Sequence, residues 1–353
     1  HYRLNNESSP GISDGFFAKF TADGKTLVYY NIIGGNLTDE ITSLVLDKSN
    51  SVYIGGNTNS SRFINGFPIT TLAPDSVLGA QGEGSGFVAK FSNEGSSLEF
   101  CSYVGGEKLE TISKIAYDEV NEAIYAVGVT FDNVKLPFNF NTYIGDGDAY
   151  YQAISIPLKR ILFSGYLGGS GSDVATSLAI FKSSVVIVGY TKSEDVYLSS
   201  NASRGGTDGF IAKIEKSGGQ ILSFRYFGST GDDRITGVTV DSVGRTIVCG
   251  TTNSPDLPIA GMPLLGSKIG ESDGFVAQFS NSDSLMFSTF VGSTYDDEMF
   301  DVKVDNYGQI YAIGQTKGEI TTPAIPKDAD YVRRFGGLGT NDCFWVMVNP
   351  KDI

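Results

Sequence analysis

The 353-residue chain has one histidine, one tryptophan, four methionines and three cysteines. The histidine is His1, so no mechanism that needs an internal imidazole or a His pair can be built from this chain. Oxidative copper chemistry at an amino-terminal His also needs a second imidazole, and none exists. Three cysteines in a chain this long make no disulfide framework. Cys101, Cys249 and Cys343 show no Cys-x-x-Cys metal spacing and are expected to be buried free thiols. No run of about 18 apolar residues is present, so no helical membrane span is expected. Charged residues are scarce at 19%, yet 40 acids against 26 bases leave a net charge of -14. Such a surface is repelled by phosphate backbones and anionic lipid, which argues against nucleic acid and membrane insertion. No stretch of 11 or more residues carries a helical apolar period.

What the chain has is glycine and aromatics: 44 Gly, 23 Phe and 18 Tyr. Glycine at about 12% stands against a usual value of about 7%. Self-comparison shows why. One phrase recurs as Asp14-Gly15-Phe16-Phe17-Ala18-Lys19-Phe20, Ser85-Gly86-Phe87-Val88-Ala89-Lys90-Phe91, Asp208-Gly209-Phe210-Ile211-Ala212-Lys213-Ile214 and Asp273-Gly274-Phe275-Val276-Ala277-Gln278-Phe279. Degenerate copies are Asp148-Ala149-Tyr150-Tyr151-Gln152-Ala153-Ile154 and Asp342-Cys343-Phe344-Trp345-Val346-Met347-Val348. The anchor aromatics Phe16, Phe87, Tyr150, Phe210, Phe275 and Phe344 lie about 60 to 71 residues apart.

Three further segments recur in fixed order between anchors. The first ends in Gly-Gly or Gly-Ser, as in Tyr103-Val104-Gly105-Gly106 and Tyr226-Phe227-Gly228-Ser229. The second alternates apolar with small or polar residues, as at 41–46, 112–117, 175–180, 235–240 and 299–304. The third is β-branched before a glycine, as in Val185-Val186-Ile187-Val188-Gly189. Period-2 runs bounded by Gly, Asn, Asp and Ser read as strands and turns. Four strands per repeat predict an all-β fold, a β-propeller of four-stranded antiparallel blades. The tail 1–13 precedes a single propeller domain over 14–348, and 349–353 form the carboxyl end.

The series Asp-Gly-Phe-Val-Ala-Lys-Phe, Tyr-Val-Gly-Gly, Asp-Asp-Glu, Val-Asp-x-x-Gly-x-Ile-Tyr and Gly-x-Thr-x-Ser resembles the SBBP-repeat β-propeller family over essentially residues 14–348. The resemblance implies a secreted or cell-surface prokaryotic protein with no common catalytic site. The third repeat departs most, having lost the Gly, the Phe and the Lys of the anchor.

With the anchor as strand C, short A–B turns are expected at 47–50, 241–244 and 305–308, and short C–D turns at 21–24, 92–95 and 216–219. The long loops are then all B–C, at 59–84, 131–147, 192–206, 253–271 and 317–340, on one face. The D–A turns on that face carry Asp39, Glu40, Glu110, Asp173, Asp232, Asp233, Asp296 and Asp297. Two readings stand. The carboxylates form a Ca²⁺ site at a channel mouth, or each fixes its own turn by accepting backbone hydrogen bonds. Recurrence once per repeat favours turn chemistry, and no other cofactor is implied.

Asp146-Gly147-Asp148 matches part of a calcium loop whose later ligands are missing. Acidic pairs for glycoside hydrolysis exist in number, but nothing selects one. A single Trp argues against propellers that hold a quinone, whose blades share recurrent Trp. Sequons at Asn6, Asn36, Asn59 and Asn201 are candidate N-glycosylation sites, at a frequency chance alone would supply.

Strands C and D at the amino end, four full sets, and A, B and C at the carboxyl end are one strand more than five blades need. Five blades with the ring closed by the amino-terminal strands is the natural closure, six with two incomplete the alternative. The extra strand, Cys343, Phe344, Trp345, Val346, Met347 and Val348, is a candidate inter-subunit strand that would join copies into a filament. The reading carried forward is a non-enzymatic, extracellular structural or adhesive surface module capable of self-association. The competing reading is a carbohydrate-binding or carbohydrate-degrading propeller that takes glycans on the long-loop face. Trp345 reports on the first: strand donation between subunits makes its emission depend on protein concentration, and emission that ignores concentration from a buried Trp345 contradicts it.

Overall fold

The computed structural model describes residues 2–4, 11–62, 66–76, 84–106, 108–131, 139–140, 142–320 and 341–348. The amino-terminal residue, the sequon at Asn6, the residues after 348 and nearly all of loop 317–340 lie outside them. Among the described residues every regular element is a strand. In chain order these are β1 (Tyr2–Leu4), β2 (Gly15–Phe20), β3 (Leu27–Ile33), β4 (Asp39–Leu46), β5 (Val52–Thr58), β6 (Ser85–Phe91) and β7 (Leu98–Val104). Then come β8 (Glu110–Asp118), β9 (Ala123–Thr130), β10 (Asn139–Phe140), β11 (Asp148–Ser155) and β12 (Arg160–Leu167). They are followed by β13 (Asp173–Phe181), β14 (Ser184–Thr191), β15 (Asp208–Glu215) and β16 (Ile221–Phe227). The last are β17 (Asp233–Val240), β18 (Thr246–Thr252), β19 (Asp273–Phe279), β20 (Leu285–Val291), β21 (Asp297–Val304), β22 (Ile310–Thr316) and β23 (Asp342–Val348).

Four sheets contain the A-B-C-D meander, the strand plan of a propeller blade: β4–β7, β8-β9-β11-β12, β13–β16 and β17–β20. The third repeat keeps the plan although its anchor is degenerate, because Tyr150, Tyr151 and Ile154 bury as the standard residues do. Its sheet gains β10, parallel to β12. The flanking sheets are three-stranded, in the orders β1-β3-β2 and β21-β22-β23. Here strand count and closure part from the five-bladed expectation. β22 already has a partner on each edge, β21 on one side and β23 on the other, so the seat that β2 would take in a five-bladed closure is filled.

The turns follow the side chains. Asp47, Asp241 and Asp305 each accept two backbone N–H bonds from the residues two and four ahead, pinning the A–B turns. Their fourth positions, Asn50, Gly244 and Gly308, take positive φ of 61°, 91° and 84°, a conformation that suits Gly and Asn. Strand A bulges near its start in β4, β8, β17 and β21, between Ile41 and Ser43, Ile112 and Lys114, Ile235 and Gly237, and Met299 and Asp301.

Two compact units divide the chain, residues 1–175 and 176–353. In the first, one core joins Phe17 and Ile33 to Ile54, Phe87, Ala89 and Phe91, and a second joins Val88 and Val104 to Ile112, Ile124 and Tyr150. In the second, Phe227 and Ile235 pack with Phe275 and Phe279, and Cys249 and Val276 with Phe344 and Val346. Cys101 and Cys249 are buried as expected, while Cys343 is exposed because its side of β23 is uncovered. Burial pushes the Cys101 thiol well above its ordinary range and, with the Asp301 charge contributing, the Cys249 thiol up to about 12, so both are inert at neutral pH.

The anchor position tests this packing directly. Phe275 is fully buried whereas Phe16, its counterpart in β2, is exposed. Phe275→Ala should cost about 3–5 kcal/mol in chemical denaturation, and Phe16→Ala in dilute protein less than about 0.5 kcal/mol. Equal costs at the two positions would contradict the packing described.

Candidate functional site

The recurrent acids of the D–A turns divide into two kinds. Asp39, Glu110, Asp173, Asp233 and Asp297 are buried first residues of the A strands, while Glu40 and Asp232 are exposed and Asp296 is half-exposed. Strand alternation separates them, since neighbours in a strand point to opposite sides. Asp296 pairs with Lys317 at 2.8 Å, which together with a hydrogen bond holds its carboxyl below the usual range.

Each buried acid joins two sheets at one end, linking strands A and B of its own sheet to strands C and D of the sheet before it. Asp233 shows the pattern. Thr252 Oγ1 at the end of strand B donates to Oδ1, and Ser254 Oγ, two residues on, donates to Oδ2 at 2.7 Å. The backbone N–H of Ser229, just past strand D, donates to Oδ2 at 2.7 Å. The N–H of Asp233 itself donates to Thr207 O, just ahead of strand C, at 2.7 Å. Asp39 repeats this with Thr58, Ser60 (3.0 Å), Gly35 (2.7 Å) and Ser13 O (2.9 Å). Asp173 receives Gly169 N at 3.1 Å, and Asp297 receives Ser293 N at 2.6 Å. The Thr-x-Ser and Gly-Gly or Gly-Ser segments of the repeat are thus donors to a buried carboxylate.

A second acid completes the clasp, and the sequence reading passed over it. The Asp that opens the anchor phrase accepts backbone N–H bonds from the loop entering strand C. Asp273 takes Ile269 N and Gly270 N, both at 2.8 Å, and Asp208 takes Arg204 N at 2.8 Å and Ser203 Oγ at 2.6 Å. The two acids face each other across the first glycine of the Gly-Gly or Gly-Ser pair. A Cβ on Gly292 would lie 2.8 Å from the Asp273 carboxyl carbon and 3.0 Å from Asp297 Oδ2, and one on Gly228 would collide with Asp208. Constancy of Asp just before Gly-Phe was the signal available in the sequence. The second repeat replaces the pair with Ser85 and the longer Glu110, which accepts from Thr130 Oγ1 at 3.2 Å.

Burial raises the carboxyl pKa of Asp39, Asp233, Asp273 and Asp297, with the charge of the facing Asp adding to the rise at Asp39, Asp233 and Asp297. Asp148 is pushed up to about 6, chiefly by burial, with Asp173 contributing. Among the described residues no group of three His, Cys, Asp or Glu side chains is arranged to hold a metal. The predicted acids come together only with the partner of their own repeat, and Asp146 and Asp148 enclose no further carboxylate ligand among those hydrogen bonds.

Of the sequons, Asn36, Asn59 and Asn201 are exposed. The Asn201 amide is engaged with the backbone of Tyr226, donating to its carbonyl at 3.0 Å and accepting its N–H at 2.9 Å. The candidate inter-subunit strand is β23, paired along all seven residues with β22 in its own sheet. In the second unit a polar cavity of ≈ 410 Å³ is lined by Asn253, Glu271, Asp296, Glu298, Gln315 and Lys317 among others. No helix is long and apolar enough to cross a membrane among the described residues.

No family model matches the chain. It is similar to regulatory protein FlaEY of Caulobacter vibrioides, 25% identical over 302 residues that cover 77% of this chain and 28% of the relative. The chain therefore spans little more than a quarter of that protein's length. Among solved structures, Kuenenia stuttgartiensis hydrazine synthase aligns with a TM-score of 0.42 and 11% identity, over 78% of this chain and 75% of that one. A luciferin-regenerating enzyme aligns at 0.38 and 10%, over 88% and 91%. The extracellular domain of a B. thetaiotaomicron one-component system aligns at 0.35 and 13%, over 77% and 31%. At these scores none assigns an activity.

The clasp carries a pH signature. The folded pKa of Asp148, about 6, lies above an unfolded value near 4. The folded state then holds the proton more tightly, so stability falls as pH rises from about 4 to about 6, and the penalty is complete above that. In melts across this range, Asp148→Asn should gain on the parent protein as pH rises. A constant difference from pH 4 to 7 would sink the assignment.

Proposed function

We propose that the protein is a non-enzymatic, extracellular structural or adhesive module, a propeller-like array of the SBBP-repeat kind that self-associates through its terminal sheets. One observation carries the reading. The buried acids that recur on the loop face are committed to clasps between successive sheets, whereas the first and last sheets described leave large apolar residues exposed, among them Phe16, Phe20 and Ile313. A buried carboxylate holding three or four donors is a poor general acid or base, because its lone pairs are occupied and no substrate can reach it. Bare apolar faces on a soluble chain mark contact surfaces.

Six strand sets with two incomplete is the architecture this reading uses, and terminal β-structure is what it offers to a neighbour. Surface glycans at Asn36 and Asn59 are compatible with it, since both lie outside the clasps' donor sets. A second reading is favoured by the polar cavity of the second unit, whose amide and carboxylate lining suits sugar hydroxyls.

Electron microscopy of concentrated native protein decides between them. Filaments with a repeat of one protomer are expected. Discrete particles, together with glycan-array binding that Asn253→Ala and Gln315→Ala abolish, would favour the carbohydrate reading instead.

A further inference from the structure

In the A-B-C-D meander strand D comes last, so one row of its backbone N–H and C=O groups has no neighbour among the other three strands. The composition of these strands makes that row a hazard. β20 reads Leu-Met-Phe-Ser-Thr-Phe-Val, seven residues with no charge, no Pro and no Gly, the kind of segment that pairs with copies of itself. β7 and β16 each carry a single charged residue. Leu222 on β16 and Met286 on β20 are 54% and 45% exposed.

The long B–C loops fill that row. In the β4–β7 sheet, Thr70 N donates to Cys101 O at 3.1 Å, Cys101 N to Thr70 Oγ1 at 3.0 Å and Tyr103 N to Asp75 O at 3.2 Å. In the β17–β20 sheet, Ser288 N donates to Ala260 O and Phe290 N to Leu265 O, both at 3.1 Å. In the β13–β16 sheet, Ser200 N donates to Phe224 O at 3.0 Å. The next residue uses its side chain in place of backbone: Asn201 accepts Tyr226 N–H at 2.9 Å and donates to Tyr226 O at 3.0 Å. β10, from loop 131–147, lies on β12, and β1 lies on β3. β10 runs parallel to its partner and β1 antiparallel, so the edge accepts a strand in either direction. The covers themselves make poor templates, because Pro68, Pro74, Pro258 and Pro263 lack an N–H.

We propose that the long B–C loops are edge guards, each occupying the outer edge of its strand D and denying that edge to strand D of a second copy. The occupant follows from the edge, since identical uncharged segments pair in register more readily than unlike ones. Four loops of different sequence and length do this one task, with different atoms in each. Only the short pairing segment of a loop is then constrained, and its remaining length is free to vary. The inference is independent of the self-association reading above, which concerns the first and last sheets.

Hydrogen exchange and sedimentation velocity on the full chain test it. In the parent protein the N–H groups of Tyr226, Ser288 and Phe290 should be protected, because each is bonded to its cover. Asn201→Ala should quicken exchange at Tyr226 about tenfold, as loss of one hydrogen bond does, and leave Phe290 unchanged. Ser200→Pro with Asn201→Ala lifts the cover from β16 at two exposed positions, so circular dichroism melts should show a folded protein. Its sedimentation coefficient should then rise with concentration more steeply than the parent's, together with an infrared band of intermolecular β-sheet. Should the double variant fail to fold, Asn201→Ala alone carries both readouts. A folded variant with its cover lifted that sediments as the parent does at every concentration overturns the proposal. So does a Tyr226 N–H that exchanges as fast in the parent as in Asn201→Ala.

Discussion

The structure depends on one unfavourable act, the burial of a carboxylate at every junction between successive sheets. A buried charge is tolerated only where hydrogen bonds replace its water. No single strand can supply them. Asp233 draws a hydroxyl from the end of strand B of its own sheet, another from the residues just beyond, and an N–H from the end of strand D of the sheet before, while its own N–H holds the entry to that sheet's strand C. The four strand ends must be in place together or the carboxylate is stranded. The raised carboxyl pKa values show that these donors offset the desolvation only in part. The remainder is carried by the apolar faces between sheets, where Phe275 and its equivalents are buried completely.

This constraint accounts for residues that otherwise look like punctuation. The first glycine after strand D is small because two carboxylates close over it, as at Gly292. The Thr of Gly-x-Thr-x-Ser is a donor, and Thr252 and Thr58 play the same part in different units. The second repeat shows the limit of the rule. There one Glu spans the space of two Asp residues, and Gly105 turns to a φ of 138° beside it.

Strands, turns and repeat order were legible in the sequence because they rest on local alternation and on turn residues such as Asp241 and Gly244. The acids were legible as a recurrence, while the strands of two sheets that they join were not. Two things were hidden. Asp232 and Asp233 look alike in sequence, and only the sheet decides that the second points inward. Asp208 and Asp273 stood inside the quoted anchor phrase, yet their pairing with Asp233 and Asp297 spans some 25 residues and appears only when strands C and A meet at one end. The exposure of Cys343 was illegible for a different reason. Whether a strand face is covered depends on the neighbouring sheet, a property its own sequence does not carry.

That last point bears on the first and last sheets of this chain. Because each clasp joins strands A and B of one sheet to strands C and D of the sheet before, neighbouring sheets support one another through these hydrogen bonds as well as through their faces, the nearest-neighbour energetic plan of repeat proteins. Capping repeats of such arrays exchange apolar for polar residues on the outward side, and the first and last sheets of this chain do not. Phe16 and Phe20 keep the aromatic identity of the buried Phe87 and Phe91, and Ile313 and Trp345 are larger and more apolar than the Cys249 and Val276 they match. Where Thr42 and Thr236 each donate to a carbonyl of the next sheet, the last sheet has Phe300. The apolar pattern of the inner sheet faces thus continues through the first and last sheets of this chain.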